Sequence, residues 1–113
     1  VHWWRIAREE IASVAETDYG FHADEVETSA MMHVKPDLVR KDRLVAEKPK
    51  FPKFVANFGR NEASLAISYS RQMLRYGVIG DATKATPEKG KRIIDAVVNN
   101  TKELIESIKL EGT

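Results

Sequence analysis

The carboxyl-terminal stretch constrains the chain more than any other part. Thr86 occupies an N-cap position, Pro87 follows at the first helical position, and Glu88 complements the amino end of a helix. Ile93, Ile94, Val97, Val98, Thr101, Leu104, Ile105 and Ile108 then recur with a 3.6-residue period, and Gly112 stops the run. A long amphipathic helix of this kind must lie on a sheet or on another helix. The rest of the chain has to supply that surface.

Upstream, the elements are shorter. Val1–Trp3 reads as the end of a strand, because two adjacent Trp side chains need a core to bury them. Residues 4–16 read as a helix with Ile6, Ala7, Ile11, Val14 and Ala15 on one broad face. Thr17-Asp18-Tyr19-Gly20 has turn composition. A second helix is expected from about Asp24 to Val34. Asp24 is a good N-cap, Glu27 follows at capping-box spacing, and Pro36 ends the element. Val26, Ala30 and Met31 or Val34 would form its buried face. Residues 35–61 are rich in Lys, Arg and Pro, and Lys48–Phe54 reads as an extended loop. Residues 62–76 leave strand and helix both open. Gly77–Thr83 is a glycine-punctuated loop, with too few glycines for a phosphate-binding fingerprint.

Composition removes several chemistries. The 113 residues contain no cysteine, which excludes disulfides, Cys-ligated zinc, iron–sulfur clusters and a thiol nucleophile. Lys+Arg total 18 against 17 Asp+Glu, so net charge makes no argument for nucleic acid. Charge is nevertheless polarised. Residues 1–34 hold two basic and seven acidic side chains, and residues 35–60 hold eight basic and three acidic. The two blocks either pair within the fold or concentrate carboxylates for a divalent cation. Lys48, Lys50 and Lys53 with interleaved Phe could hold a single strand of nucleic acid, but a solvated loop with Phe anchors is the expected meaning. No apolar run approaches the ~18 residues of a membrane span, and no leader-like segment opens the chain. A soluble cytoplasmic protein with no membrane or nucleic-acid partner is expected.

The chemistry concentrates in His22–Ser29, where one imidazole, three carboxylates and two hydroxyls fall within eight residues. His22 can serve as general acid or base, and His22, Asp24, Glu25 and Glu27 are all potential metal ligands. The same residues also make a capped, acidic first helical turn, and spacing alone leaves both readings open. His22 and Glu27 are five apart and share no helix face, so His22 must precede the helix for both to reach one centre. His33, near the helix end, reads as structural.

His22-Ala23-Asp24-Glu25-Val26-Glu27-Thr28-Ser29-Ala30-Met31-Met32, followed by Lys35-Pro36-Asp37-Leu38-Val39, resembles the creatininase (creatinine amidohydrolase) family. That family carries His-Ala-Gly-Glu-x-Glu-Thr-Ser and then Pro-Asp-Leu-Val. Gly77-Val78-Ile79-Gly80-Asp81-Ala82-Thr83-Lys84-Ala85-Thr86-Pro87-Glu88-Lys89-Gly90 is similar to a second family motif, Gly-Val-x-Gly-Asp-Pro-x-x-Ala-Thr-x-Glu-Lys-Gly. The likeness covers nearly the whole chain.

The resemblance implies an α/β, three-layer creatininase-like fold with a largely parallel sheet, with residues 1–113 the carboxyl-terminal half of a single domain. It implies a metal-dependent hydrolase acting on a cyclic amide or related C–N bond. A cyclic polyol ketone on the same fold, or a non-catalytic structural fragment, are the alternatives. Zinc or manganese is the implied metal, with iron a further candidate. The implied partners are a small-molecule substrate, an amino-terminal half carrying the first metal motif, and further copies of the chain, up to a hexamer. By position, His22 matches the catalytic histidine that polarises substrate or shuttles a proton. Glu27 matches a residue at or beside the metal centre. Trp4, Asp24 and Glu25 match substrate-side positions. The family Gly is Asp24 here, which adds a carboxylate. Creatinine-hydrolysing members carry Trp and Glu where this chain has Asp18 and Phe21, which counts against creatinine itself as substrate.

Overall fold

The computed structural model describes residues 1–17, 22–48 and 74–112. Helix α1, Trp3–Ile6, is a single turn, and α2, Arg8–Val14, follows it. Ala7 leaves helical geometry between them (φ −107°, ψ 15°), so the single helix expected over 4–16 is two short ones. The strand end expected at Val1–Trp3 is also corrected. The Arg5 and Ile6 N–H groups donate to the His2 carbonyl at 3.0 and 3.1 Å, so the segment closes its hydrogen bonds locally, as a helix.

Helix α3, Glu25–Val34, starts and ends where the capping residues place it. Two 3-10 turns, Pro36–Leu38 and Lys41–Arg43, lead to strand β1, Ala46–Glu47. β1 pairs antiparallel with β2, Gly80–Asp81, in the register Ala46↔Asp81 and Glu47↔Gly80. The largely parallel sheet implied by the resemblance does not lie among the described residues. Most of the basic loop and of residues 62–76 also falls outside them. Helix α4, Pro87–Glu111, runs 25 residues from the Thr86 cap to Gly112. The Thr86 hydroxyl accepts the Lys89 N–H at 3.2 Å.

The core sits where α3 crosses the first turns of α4. Ile93 is 1% exposed and Ser29 fully buried, with Ala30 and Met32 beside them. Burying Ile93 contributes about 2 kcal/mol. The contact is close because Gly90 has no side chain. A Cβ built there would stand 1.8 Å from the Ser29 carbonyl oxygen. The buried residues of α3 are Glu25, Ser29, Ala30 and Met32; Ala30 was expected there, while Met31 and Val34, the alternatives expected beside it, are about half exposed. Polar residues hold the inner face because each finds a partner there. The Ser29 hydroxyl, for example, accepts the Thr86 N–H at 3.1 Å.

α1 and α2 flank α4. Asn100 Nδ2 donates to the Ile6 carbonyl at 2.7 Å, and Arg92 pairs with Glu10 at 2.6 Å. α4 is about 37 Å long against about 15 Å for α3. Its far end consequently extends past the other described elements, and Ile105 and Ile108 are exposed there. No helix among the described residues is long and apolar enough to cross a membrane.

Candidate functional site

The two sequence motifs fold into one place. His22 forms an antiparallel bridge with Ile79: the Ile79 N–H donates to the His22 carbonyl at 2.8 Å, and the His22 N–H to the Ile79 carbonyl at 3.4 Å. The first motif's histidine is thus fixed by the backbone of the second motif. It precedes α3, as a shared centre with Glu27 requires.

Ala23 then turns the chain with a left-handed φ of 50°. Its N–H donates to Glu27 Oε2 at 2.6 Å, and its carbonyl accepts from Thr28 Oγ1 at 3.3 Å. The capping-box Glu therefore reaches one residue further back than the N-cap. Asp24 follows in extended geometry (φ −84°, ψ −166°), where any residue is comfortable. The departure from the family Gly strains nothing. Asp24 Oδ1 accepts the Val26 and Glu27 N–H groups at 3.1 and 3.0 Å, which makes it the N-cap. Asp24 is 4% exposed. Burial raises its pKa, helped by the neighbouring charges of Glu27 and Glu25 and opposed by the two N–H donors.

Glu25 is 1% exposed. Its Oε1 accepts from Glu16 N at 2.6 Å, Thr17 N at 2.8 Å and Thr17 Oγ1 at 2.9 Å. Its Oε2 meets Lys89 Nζ at 3.1 Å. Lys89 also pairs with Glu16 and donates to the Lys84 carbonyl. Burial works against the Lys89 ammonium, but hydrogen bonds and charge from Glu16 and Glu25 outweigh it and hold the pKa above its ordinary value. The resemblance puts Glu25 on the substrate side; here both of its oxygens face protein groups.

Glu27 lies on the outer face of α3, between two grooves. One, of about 330 Å³, is walled by Ala23, Glu27, Leu38, Arg43 and Val78 among others. The other, of about 430 Å³, is walled by Trp3, Glu27, Ala30, Met31 and Val34. Trp3 shares the second groove with Glu27. Trp4 is half exposed and stacks on His2, with ring centroids 4.6 Å apart.

The donor set does not fit a metal centre by itself. Among the described residues, no three His, Asp or Glu groups stand together closely enough to hold an ion. Asp24 and Glu25 are turned to backbone and ammonium donors, and Glu27 has Oε2 on the Ala23 N–H.

Sequence reasoning missed Lys89, Glu16 and Thr17. The signal available was the Lys of the second motif, which meets the first motif's Glu in space.

The creatininase family, described as creatinine amidohydrolase, matches residues 1–105. The mycofactocin precursor peptide peptidase of Mycolicibacterium smegmatis is 32% identical over 89 residues, which cover 79% of this chain and 34% of that protein. A Bacteroides fragilis structure assigned as a creatinine amidohydrolase aligns at a TM-score of 0.68 and 28% identity, over 96% of this chain and 41% of that one. A manganese form of creatininase and a zinc form of a creatininase variant each align at a TM-score of 0.65 and 24% identity, over 98% of this chain and 41% of theirs. The chain spans less than half the length of each of these relatives.

Proposed function

The chain belongs to the creatininase family, and from that premise we propose that the whole protein hydrolyses a cyclic amide or a related C–N bond, with His22 passing a proton to the leaving nitrogen. The observation that carries this reading is the His22–Ile79 bridge. It holds the backbone of His22, whose imidazole is of the kind suited to proton transfer, where the two motifs meet. Ala23 and Val78, the chain neighbours of His22 and Ile79, wall the 330 Å³ groove, so the bridge lies at the edge of a cleft of ligand size. The peptidase relative extends the substrate class from lactams to peptide amides.

A divalent ion, zinc or manganese as in the neighbouring structures, or iron, is part of the proposal. It would supply an activated water. Its donors would come mainly from outside the described residues, and Glu27 lends it at most Oε1. Assembly into a homo-oligomer, up to a hexamer, comes with the same family reading.

The test uses the full-length protein with a panel of lactams, formamides, short peptides and cyclic ketones. His22→Ala should leave metal content unchanged and lower turnover by about 10²–10⁴-fold. Turnover of ketones alone would move the assignment to the ring-ketone branch. Full activity in His22→Ala would make this segment a helix cap and nothing more.

A further inference from the structure

Glu25 is the most thoroughly engaged side chain of the first motif, yet proton transfer at His22 does not require it to touch substrate. Its position in the chain shows what it does. Oε1 gathers the N–H groups of residues 16 and 17 and the Thr17 hydroxyl, just before residue 18. Glu25 itself sits in the first turn of α3, three residues after His22. One carboxylate therefore ties the chain entering the His22 segment to the chain leaving it. Lys89, on the first turn of α4, holds Oε2 at 3.1 Å, so the carboxylate is pinned at both oxygens. The Lys84 carbonyl and Glu16 pin the ammonium in turn. A buried carboxylate needs partners of this kind, because losing one leaves a buried charge uncompensated.

We propose that Glu25 and Lys89 are positioning residues for His22. The pair clamps the Glu16–Thr17 turn, the start of α3 and the start of α4 into one frame, and that frame sets where the imidazole stands. The His22–Ile79 bridge ties the histidine's backbone to the second motif, and the Glu25–Lys89 clamp ties the segments on either side of it to the start of α4. The inference rests on the reading of His22 as the proton carrier, but its test has a readout of its own.

The experiment uses the full-length protein with Lys89→Met, Lys89→Arg and Thr17→Val. The first removes the cation, the second retains it, and the third deletes a single hydroxyl contact to Glu25 with little risk to folding. The readouts are the His22 ring resonances by NMR in the folded protein, and kcat and KM on whichever panel substrate turns over. Lys89→Met and Thr17→Val should shift the His22 ring and Ala23 amide signals. A misplaced imidazole in Lys89→Met should lower kcat by about 10²-fold, with KM changed much less. Lys89→Arg should restore both. A role in stability alone would lower the melting temperature and leave the His22 signals of the folded protein where they are, and that result overturns the proposal. Shifted signals together with an active His22→Ala would uphold the clamp and remove the function proposed for the histidine.

Discussion

Gly90→Ala should destabilise the protein even though it improves helix propensity. In an exposed helix interior the change is worth about 1 kcal/mol in favour of Ala. Here the new Cβ would stand 1.8 Å from the Ser29 carbonyl oxygen and 2.5 Å from its carbon. Ordinary contact lies near 3.5 Å, so α3 and α4 must separate by roughly 1.5 Å. The obstructing atoms are backbone, so no rotamer change relieves them. Overpacking of this kind costs typically 1–3 kcal/mol, and a backbone obstacle puts it at the upper end. Separation also stretches the 3.1 Å bond from Thr86 N–H to Ser29 Oγ, worth about 1 kcal/mol. The net expectation is a loss of about 2–3 kcal/mol, read as a fall in the urea midpoint at unchanged m-value. Ser29→Ala in the same background should not rescue it, because the atom encountered is the carbonyl oxygen. A Gly90→Ala protein more stable than wild type would refute the close helix crossing.

Three further substitutions, at two positions, probe the turn after His22. Asp24→Asn keeps the cap and removes the buried charge, whereas Asp24→Ala loses the cap at about 1 kcal/mol. Because the folded pKa of Asp24 is raised, its ionisation weakens the fold at neutral pH, and that penalty fades as pH falls through the folded pKa. The Asn variant should therefore match or exceed wild type in denaturation midpoint at pH 7 and lose the advantage in acid; an advantage that grows in acid would contradict the burial argument. Ala23→Gly should stabilise by ~0.5 kcal/mol, since the left-handed φ of 50° strains an L-residue more than Gly's added unfolded-state freedom costs. Destabilisation would mean that the Ala23 methyl is needed in the wall of the groove.

The limits of α3 and α4 were legible in the sequence because they are set locally, whereas the break at Ala7 that divides α1 from α2 was not. Asp24 caps through residues two and three positions on, and Thr86 through Lys89, so a short window holds the whole cause. The buried face of α3 was not legible in the same way. Ala30 was expected inside, but Glu25 and Ser29 were not, because Lys89 and Thr86 satisfy them from 64 and 57 residues away. Trp3 failed for a related reason. Its bulk suggested a strand in a core, while the preference that prevailed was local hydrogen bonding from the Arg5 and Ile6 N–H groups to the His2 carbonyl. The family resemblance supplied the two motifs, but it carried no information on how they meet or on which side chains join them; the His22–Ile79 bridge came from the structure.

What joins them bears on how the chemistry is divided. Each motif satisfies polar groups of the other: His22 with Ile79 along the backbone, Ser29 with Thr86, and Glu25 with Lys89. Gly90 allows the helices close enough for all three contacts to form together. Asp24 and Glu25 are turned to internal donors, and Glu27, with Met31, lines both grooves. Among the described residues, then, the motifs bring no three metal donors together, and on the function proposed above what they place is a proton-transfer group. A variant that loosens the helix crossing should therefore disturb proton transfer before it disturbs metal content. Gly90→Ala, in whatever fraction remains folded, should behave as Lys89→Met does.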